Sequence, residues 1–171
     1  LFLLTKVRLV YFYSKMKNAI LFAFSTASSA ATIPVTLKTV EEELKVEKSV
    51  ASFSVPLGAT INMDGTAIMQ GVATIFIANA YGINLEISDF ISVIMVATLA
   101  SIGTAGVPGV GLIMLAMVLN QVGLPSEGIA LIIGIDRLLD MTRTAVNVTG
   151  DAAISCVVAS SEKKINYNYK E

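Results

Sequence analysis

Residues 136–151 read DRLLDMTRTAVNVTGD and lie inside an otherwise apolar stretch. Asp136, Asp140, Arg143, Thr144, Asn147 and Asp151 fall at successive offsets of 4, 7, 8, 11 and 15 from the first of them. At about 100° per residue on a helix, all six lie within an arc of about 100°. One helix face therefore carries three acids, an arginine, a threonine and an asparagine. A charge at the centre of a membrane helix costs about 2.5–3.5 kcal/mol on insertion scales, so such a run marks a functional site by default. The plainer alternative is an internally paired network, Asp140 with Arg143 at i, i+3 for example, that only holds helices together.

The surroundings of this face point to lipid. Of the 171 residues 54% are hydrophobic and 15% charged, and mean hydropathy is +0.73. Soluble domains average roughly 45–50% apolar and about 25% charged, so an all-α protein of the cell membrane, with the lipid bilayer as its solvent, is expected. Twelve Lys and Arg nearly balance thirteen Asp and Glu. No basic patch with interleaved aromatics attracts nucleic acid. The absence of His excludes Ser-His-Asp and Cys-His catalysis and the usual zinc sites. The lone Cys156 excludes an internal disulfide. The chain begins at Leu1 without a recognisable signal peptide, so a fragment of a longer protein is expected.

The distribution of charge predicts topology. No Lys or Arg occurs between Ser49 and Asp136, where the only acids are Asp64, Glu86, Asp89 and Glu127. Lys6, Arg8, Lys15, Lys17, Lys38, Lys45 and Lys48 precede that body, and Lys163, Lys164 and Lys170 follow it. By the positive-inside rule both ends are cytoplasmic, which requires an even number of crossings in a multi-pass segment. Residues 49–79 and 128–160 each exceed the roughly 20 residues of a spanning helix. Between them, the short apolar stretches 90–100 and 110–122 flank SIGTAGVPG at 101–109. Its glycines and proline break helices, so 90–122 reads as a re-entrant hairpin whose tip must be buried in protein or line a cavity.

Residues 18–40 repeat that pattern more weakly around STASSAAT at 25–32, ending at Pro34. A helix broken by a polar loop is the alternative there. Residues 1–17 read as the end of a preceding helix with its cytoplasmic turn, 41–48 as a solvated connector, and 161–171 as a cytoplasmic tail, frayed from 166 onward. Hairpin, helix, hairpin, helix is the order of an inverted-repeat transporter half, with binding sites at its broken helices.

Asn62-Met63-Asp64-Gly65-Thr66 interrupts the first span. Gly65 weakens a helix by up to about 1 kcal/mol relative to Ala, and Asn62 and Asp64 can hydrogen-bond locally in place of the ladder. A turn unwound at Asn62-Met63-Asp64 aims hard oxygen ligands at a cavity, which suits Na⁺ over a transition metal. A Gly-tolerant polar turn packed on a neighbour is the alternative. The glycines at 103–111 lack the Lys-Ser/Thr of a phosphate loop and the third glycine of a dinucleotide fingerprint. An intramembrane aspartyl protease could draw on Asp64 and Asp151, but it gives Arg143 and Asn147 nothing to do.

Taken together, SSAATIP at 28–34, NMDGT at 62–66, SIGTAGVPG at 101–109 and the 136–151 run resemble the glutamate transporter family, the dicarboxylate/amino acid:cation symporters. The resemblance implies the C-terminal transport core, residues 18–160, of an elevator-type carrier. Its scaffold helices, absent here, would hold a homotrimer together. It implies that Arg143 binds the side-chain carboxylate of an acidic amino acid, aspartate or glutamate, helped by Thr66, and that Asp140 takes the amino group. Asn147 and Thr144 would add hydrogen bonds, while Ser28, Ser29 and Val107 clamp the main-chain carboxylate. One Na⁺ site would use Asp151 with Gly58, Asn62 and Asn147; a second would use Thr60, Ser101, Ile102 and Thr104. A third would use Asn62 and Asp64, with further ligands on a helix outside this chain.

Sequence departures keep alternatives open. Ala27 stands where archaeal members carry an arginine and Met141 where animal members do, while Arg137 follows the first aspartate. Substrate ranking, potassium counter-transport and H⁺ coupling through Asp136 or Asp140 are not decided by the sequence. A proton- or sodium-coupled C4-dicarboxylate symporter and a non-transporting membrane interaction subunit are the competing functions.

Overall fold

The computed structural model describes residues 1–166. Eight α-helices follow one another: α1 (Phe2–Thr5), α2 (Leu9–Thr26), α3 (Ser29–Lys38), α4 (Lys48–Ile61), α5 (Asp64–Ala80), α6 (Ile87–Ser101), α7 (Val110–Gln121) and α8 (Asp136–Ser161). A π-helical turn at Thr39–Glu43 extends α3, and a 3₁₀ turn at Ser126–Leu131 precedes α8. Among the described residues there is no strand, only an isolated antiparallel bridge between Val46 and Ile165.

Each helix break has a local cause. Helix α2 stops where Ala27 adopts a left-handed conformation at φ 50°, and α3 restarts with Ser28 as its N-cap, whose Oγ accepts from the Ala31 N–H at 3.2 Å. The α4–α5 break falls at Asn62 and Met63, both off the helical region, after Asn62 N–H has closed the last turn onto the Gly58 carbonyl at 2.8 Å. In the α6–α7 loop Gly103 and Gly109 take φ 77° and 83°, a conformation that L residues with a Cβ rarely adopt. Glu86 and Asp89 form a reciprocal capping box at the start of α6.

Helix α8 is the axis, packed against α2, α3, α4 and α5. One apolar cluster, including Phe12, Met16, Leu44, Val55, Val148 and Cys156, joins α2 and α4 to its C-terminal half. A second, with Ile77, Leu115, Leu119 and Ile132, joins α5 to α7. Polar side chains fill the middle: Gln70, Asp140, Arg143, Asn147 and Asp151 are buried, whereas Leu3, Val10 and Ile87 are at least 80% exposed. Apolar outside and polar inside inverts the usual distribution and agrees with lipid as the outer solvent.

Several expected boundaries shift. No helix among the described residues is long and apolar enough to cross a membrane, so neither 49–79 nor 128–160 is a single apolar spanning helix. The first is broken into α4 and α5 at 62–63, where the sequence places its interruption, and the second starts as a 3₁₀ turn and loop before α8. Helix α8 has 26 residues, about 39 Å at 1.5 Å each, but its inner face is charged. Helix α2 runs continuously from Leu9, through residues that the sequence pattern assigns to a flank, because the long side chains of Lys15 and Lys17 extend outward from it.

The 41–48 connector is not wholly solvated, since Leu44 and Val46 are buried. Tyr11 donates its hydroxyl to the Glu43 carbonyl at 2.8 Å, and Lys15 binds the Glu43 carboxylate at 2.7 Å. The bond from Lys15 holds that carboxyl below the usual carboxylate range. Instead of fraying at 166, the chain is pinned there: Glu47 N–H donates to the Lys164 carbonyl at 2.8 Å and Asn166 N–H to the Lys45 carbonyl at 3.0 Å. The rest of the expected tail, 167–171, lies outside the described residues.

Candidate functional site

Three backbone breaks converge on the polar face of α8. The α2–α3 tip meets the α6–α7 tip where Ser28 Oγ and the Ala30 N–H both donate to the Gly106 carbonyl, at 2.7 and 3.1 Å. The α6–α7 tip meets the end of α4 where the Gly103 N–H donates to the Thr60 carbonyl at 3.1 Å. A Cβ on Gly106 would stand 3.1 Å from the Ala30 nitrogen and 3.2 Å from the Ala59 carbonyl oxygen, so glycine permits this closeness.

Beneath the tips Arg143 donates through one terminal nitrogen to Asp140, and both side chains are buried. The second Asp140 oxygen accepts from the Gly109 N–H at 2.8 Å. The Thr144 hydroxyl donates to the Asp140 carbonyl at 2.8 Å. The other terminal nitrogen of Arg143, Nη1, is buried with no hydrogen-bond partner. Gly111 faces the guanidinium so closely that a Cβ there would overlap it. The cavity bounded by Ser29, Thr66, Val107, Gly111, Arg143 and Asn147 has a volume of only ≈ 10 Å³, about enough for one water. A larger ligand fits this cavity only when a tip moves.

One turn along α8, Asn147 braces the α4–α5 break: its Oδ1 accepts from the Gly65 N–H at 2.7 Å, and its Nδ2 points to Thr66 Oγ1 at 3.3 Å and Met63 Sδ at 3.2 Å. Another turn on, Asp151 accepts from Asn62 Nδ2 at 3.0 Å. A Cβ on Gly58 would stand 2.9 Å from the Asp151 carboxyl carbon, so α4 and α8 touch here. Asn62 and Asp64 both crowd Gly150, where a Cβ would be 2.7 Å from Asn62 Nδ2 and 2.8 Å from Asp64 Oδ2.

The residues expected to bind substrate and ions thus gather along α8 in two neighbouring groups. Asp140, Arg143, Thr144, Asn147, Thr66, Ser28 and Ser29 surround the tips, and Asp151, Asn62, Gly58 and Asn147 surround the break. Thr60 and the 101–104 segment share the Gly103 bond, with Ser101 and Thr104 buried. Ile102, Val107 and Asp64 are exposed. Among the described residues no three His, Cys, Asp or Glu side chains cluster as a metal site, so any cation here relies on backbone and amide oxygens beside single carboxylates.

Further polar contacts near the site follow from the fold. Met63 Sδ and the Gly106 carbonyl become partners through tertiary approach. Gln70 is fully buried with neither amide atom hydrogen-bonded, and Asp136 has one buried oxygen unpartnered. Gln70, an amide within the apolar run of α5, and Asp136, on the polar face of α8, are visible in the sequence, whereas the Met63 and Gly106 contacts depend on which tips meet.

An all-helical core that is apolar outside and buries a charged pair where broken helices converge has the build of a secondary transporter. Residues 1–161 match the model of the Sodium:dicarboxylate symporter family, and the chain belongs to that family. It is 48% identical over 149 residues, 87% of the chain, to excitatory amino acid transporter 3 of Mus musculus. It is 46% identical over 151 residues, 88% of the chain, to excitatory amino acid transporter 2 of Homo sapiens. An excitatory amino acid transporter of Caenorhabditis elegans matches 87% of the chain at 45% identity. The aligned regions cover 28%, 26% and 32% of those relatives, so the chain corresponds to less than a third of their length.

Proposed function

We propose that this chain forms the substrate-carrying core of a sodium-coupled symporter for an acidic amino acid, aspartate or glutamate. The observation that carries the reading is the half-satisfied guanidinium of Arg143, buried at the meeting point of three helix breaks and held by Asp140. A guanidinium binds a carboxylate best through two parallel bonds, and Arg143 uses only one of its two terminal nitrogens. A substrate carboxylate would engage both when a tip lifts, releasing Asp140 to receive the substrate ammonium. Thr66, Thr144 and Asn147 would add hydrogen bonds, and Ser28, Ser29 and Val107 would hold the main-chain carboxylate with backbone donors of the two tips.

Na⁺ travels as cargo in this reading. Asp151 with the Gly58, Asn62 and Asn147 carbonyls would make one site. The Thr60, Ser101, Ile102 and Thr104 carbonyls would make a second, and Asn62 with Asp64 part of a third. Ion binding at the α4–α5 break would set the register of Asn147 and Thr66, and so couple Na⁺ to substrate through α8. The α6–α7 hairpin would act as the gate. The core would then slide, elevator-fashion, against scaffold helices and trimer contacts supplied by the remainder of a multi-pass carrier, with both ends of this segment cytoplasmic.

Asp140 separates this reading from a C4-dicarboxylate carrier, which has no ammonium to bind. In the full-length protein Asp140→Ser is expected to reduce aspartate uptake at least tenfold more than succinate uptake, measured with radiolabelled substrates in the same vesicles. Equal losses would remove Asp140 from amino-group recognition and favour the dicarboxylate reading.

A further inference from the structure

The base of the first hairpin carries a second, separate polar cavity of ≈ 650 Å³, whose lining includes Lys15, Lys17, Asn18, Lys38, Glu42 and Glu43. It opens between the start of α2 and the π-helical turn after α3. Such turns are rare and recur at functional sites. Glu43 neutralises Lys15 at 2.7 Å. Among the described residues Lys17, Lys38 and Glu42 have no ion-pair partner, so beside the Lys15–Glu43 pair the cavity presents two ammonium groups, the Asn18 amide and one carboxylate, with positive charge in excess.

Helix α2 changes character beside this cavity. Ser14, Lys17, Asn18, Leu21 and Phe22 follow an i, i+3, i+4, i+7, i+8 pattern and share one face. Leu21 and Phe22 are 64% and 41% exposed. They sit about 6 Å farther along the axis than Lys17 and Asn18, four residues at 1.5 Å each. Cationic donors with an exposed apolar pair one turn away match a phosphate joined to an acyl chain better than they match a free anion.

We propose that this cavity binds the headgroup of an anionic phospholipid, with Lys17 and Lys38 on the phosphate and Leu21 and Phe22 against the acyl chain. The charge sign favours it: the cavity lies in the lysine-rich flank that the positive-inside pattern assigns to the cytoplasmic leaflet, where anionic lipids concentrate.

Native mass spectrometry of the full-length protein in detergent, titrated with dioctanoyl-phosphatidylglycerol, tests this directly. Each basic residue near an anionic surface contributes about fivefold in affinity, so Lys17→Gln with Lys38→Gln is expected to weaken binding about 25-fold. The paired Lys→Arg variant should retain it, and Glu42→Gln should tighten it. Leu21→Ser with Phe22→Ser should weaken the lipid, while inorganic phosphate should compete poorly. Binding within twofold of the parent in the double Gln variant would overturn the proposal, as would equal losses in the Gln and Arg pairs. Competition by inorganic phosphate as effective as that by the lipid would make this a soluble-anion site and equally overturn it.

Discussion

Replacing Arg143 with Cys is expected to lower aspartate uptake by at least 100-fold while leaving Na⁺ binding intact. Arg143 is buried, and truncating one partner of a buried, hydrogen-bonded charge pair in a binding site costs about 2–5 kcal/mol of affinity, a range that includes roughly 100-fold. In the variant the Asp140 carboxylate keeps, among the described residues, only the Gly109 N–H as a donor, and the carboxylate-binding fork is gone. Na⁺ should be spared because Asp151 takes its hydrogen bond from Asn62, not from Arg143, and lies eight residues farther along α8, about 12 Å. Radiolabelled aspartate uptake and Na⁺ binding, measured on the same reconstituted protein, separate the two effects. Undiminished aspartate transport would remove Arg143 from the site.

Asp151→Asn should shift the Na⁺ concentration for half-maximal uptake upward by about 10–100-fold, the equivalent of the 1.5–3 kcal/mol that a charged hydrogen-bonding group contributes. The substitution conserves volume where α4 leaves none, because Gly58 packs directly on this carboxylate. It still offers Asn62 an amide oxygen, so the helix contact survives while the negative charge does not. Substrate affinity at saturating Na⁺ should change little, since Asp151 touches none of the groups around Arg143. An unaltered Na⁺ dependence would take Asp151 out of the ion path.

The sequence made the breaks legible because glycine, proline and hydroxyl residues punctuate apolar runs at 25–34, 62–66 and 101–109. It also made the α8 face legible, because 3.6-residue periodicity needs no knowledge of neighbours. Boundaries were harder to read. Lys15 and Lys17 marked a flank by charge, yet both ride on the continuous helix α2, since long cationic side chains extend outward at no cost to helical geometry. Helix α8 starts eight residues inside the 128–160 stretch because 128–135, though as apolar as a helix, folds as a 3₁₀ turn and loop.

Contacts made only in three dimensions were invisible to the sequence pattern. The overlap of Gly111 with the guanidinium space, the Gly106 carbonyl shared by two donors, and the Asn147 brace on Met63 and Gly65 all depend on which tips meet. Glycines 103–111 showed that the backbone must turn, but only the fold shows that the close approach accommodates Arg143 and Ala30.

Coupling of Na⁺ to an acidic amino acid at the α8 seam is tested by calorimetric titration of aspartate into the full-length protein. Saturable binding heat is expected in NaCl and none when Na⁺ is replaced by choline. Equal heats in both salts, or no binding in either, would contradict it.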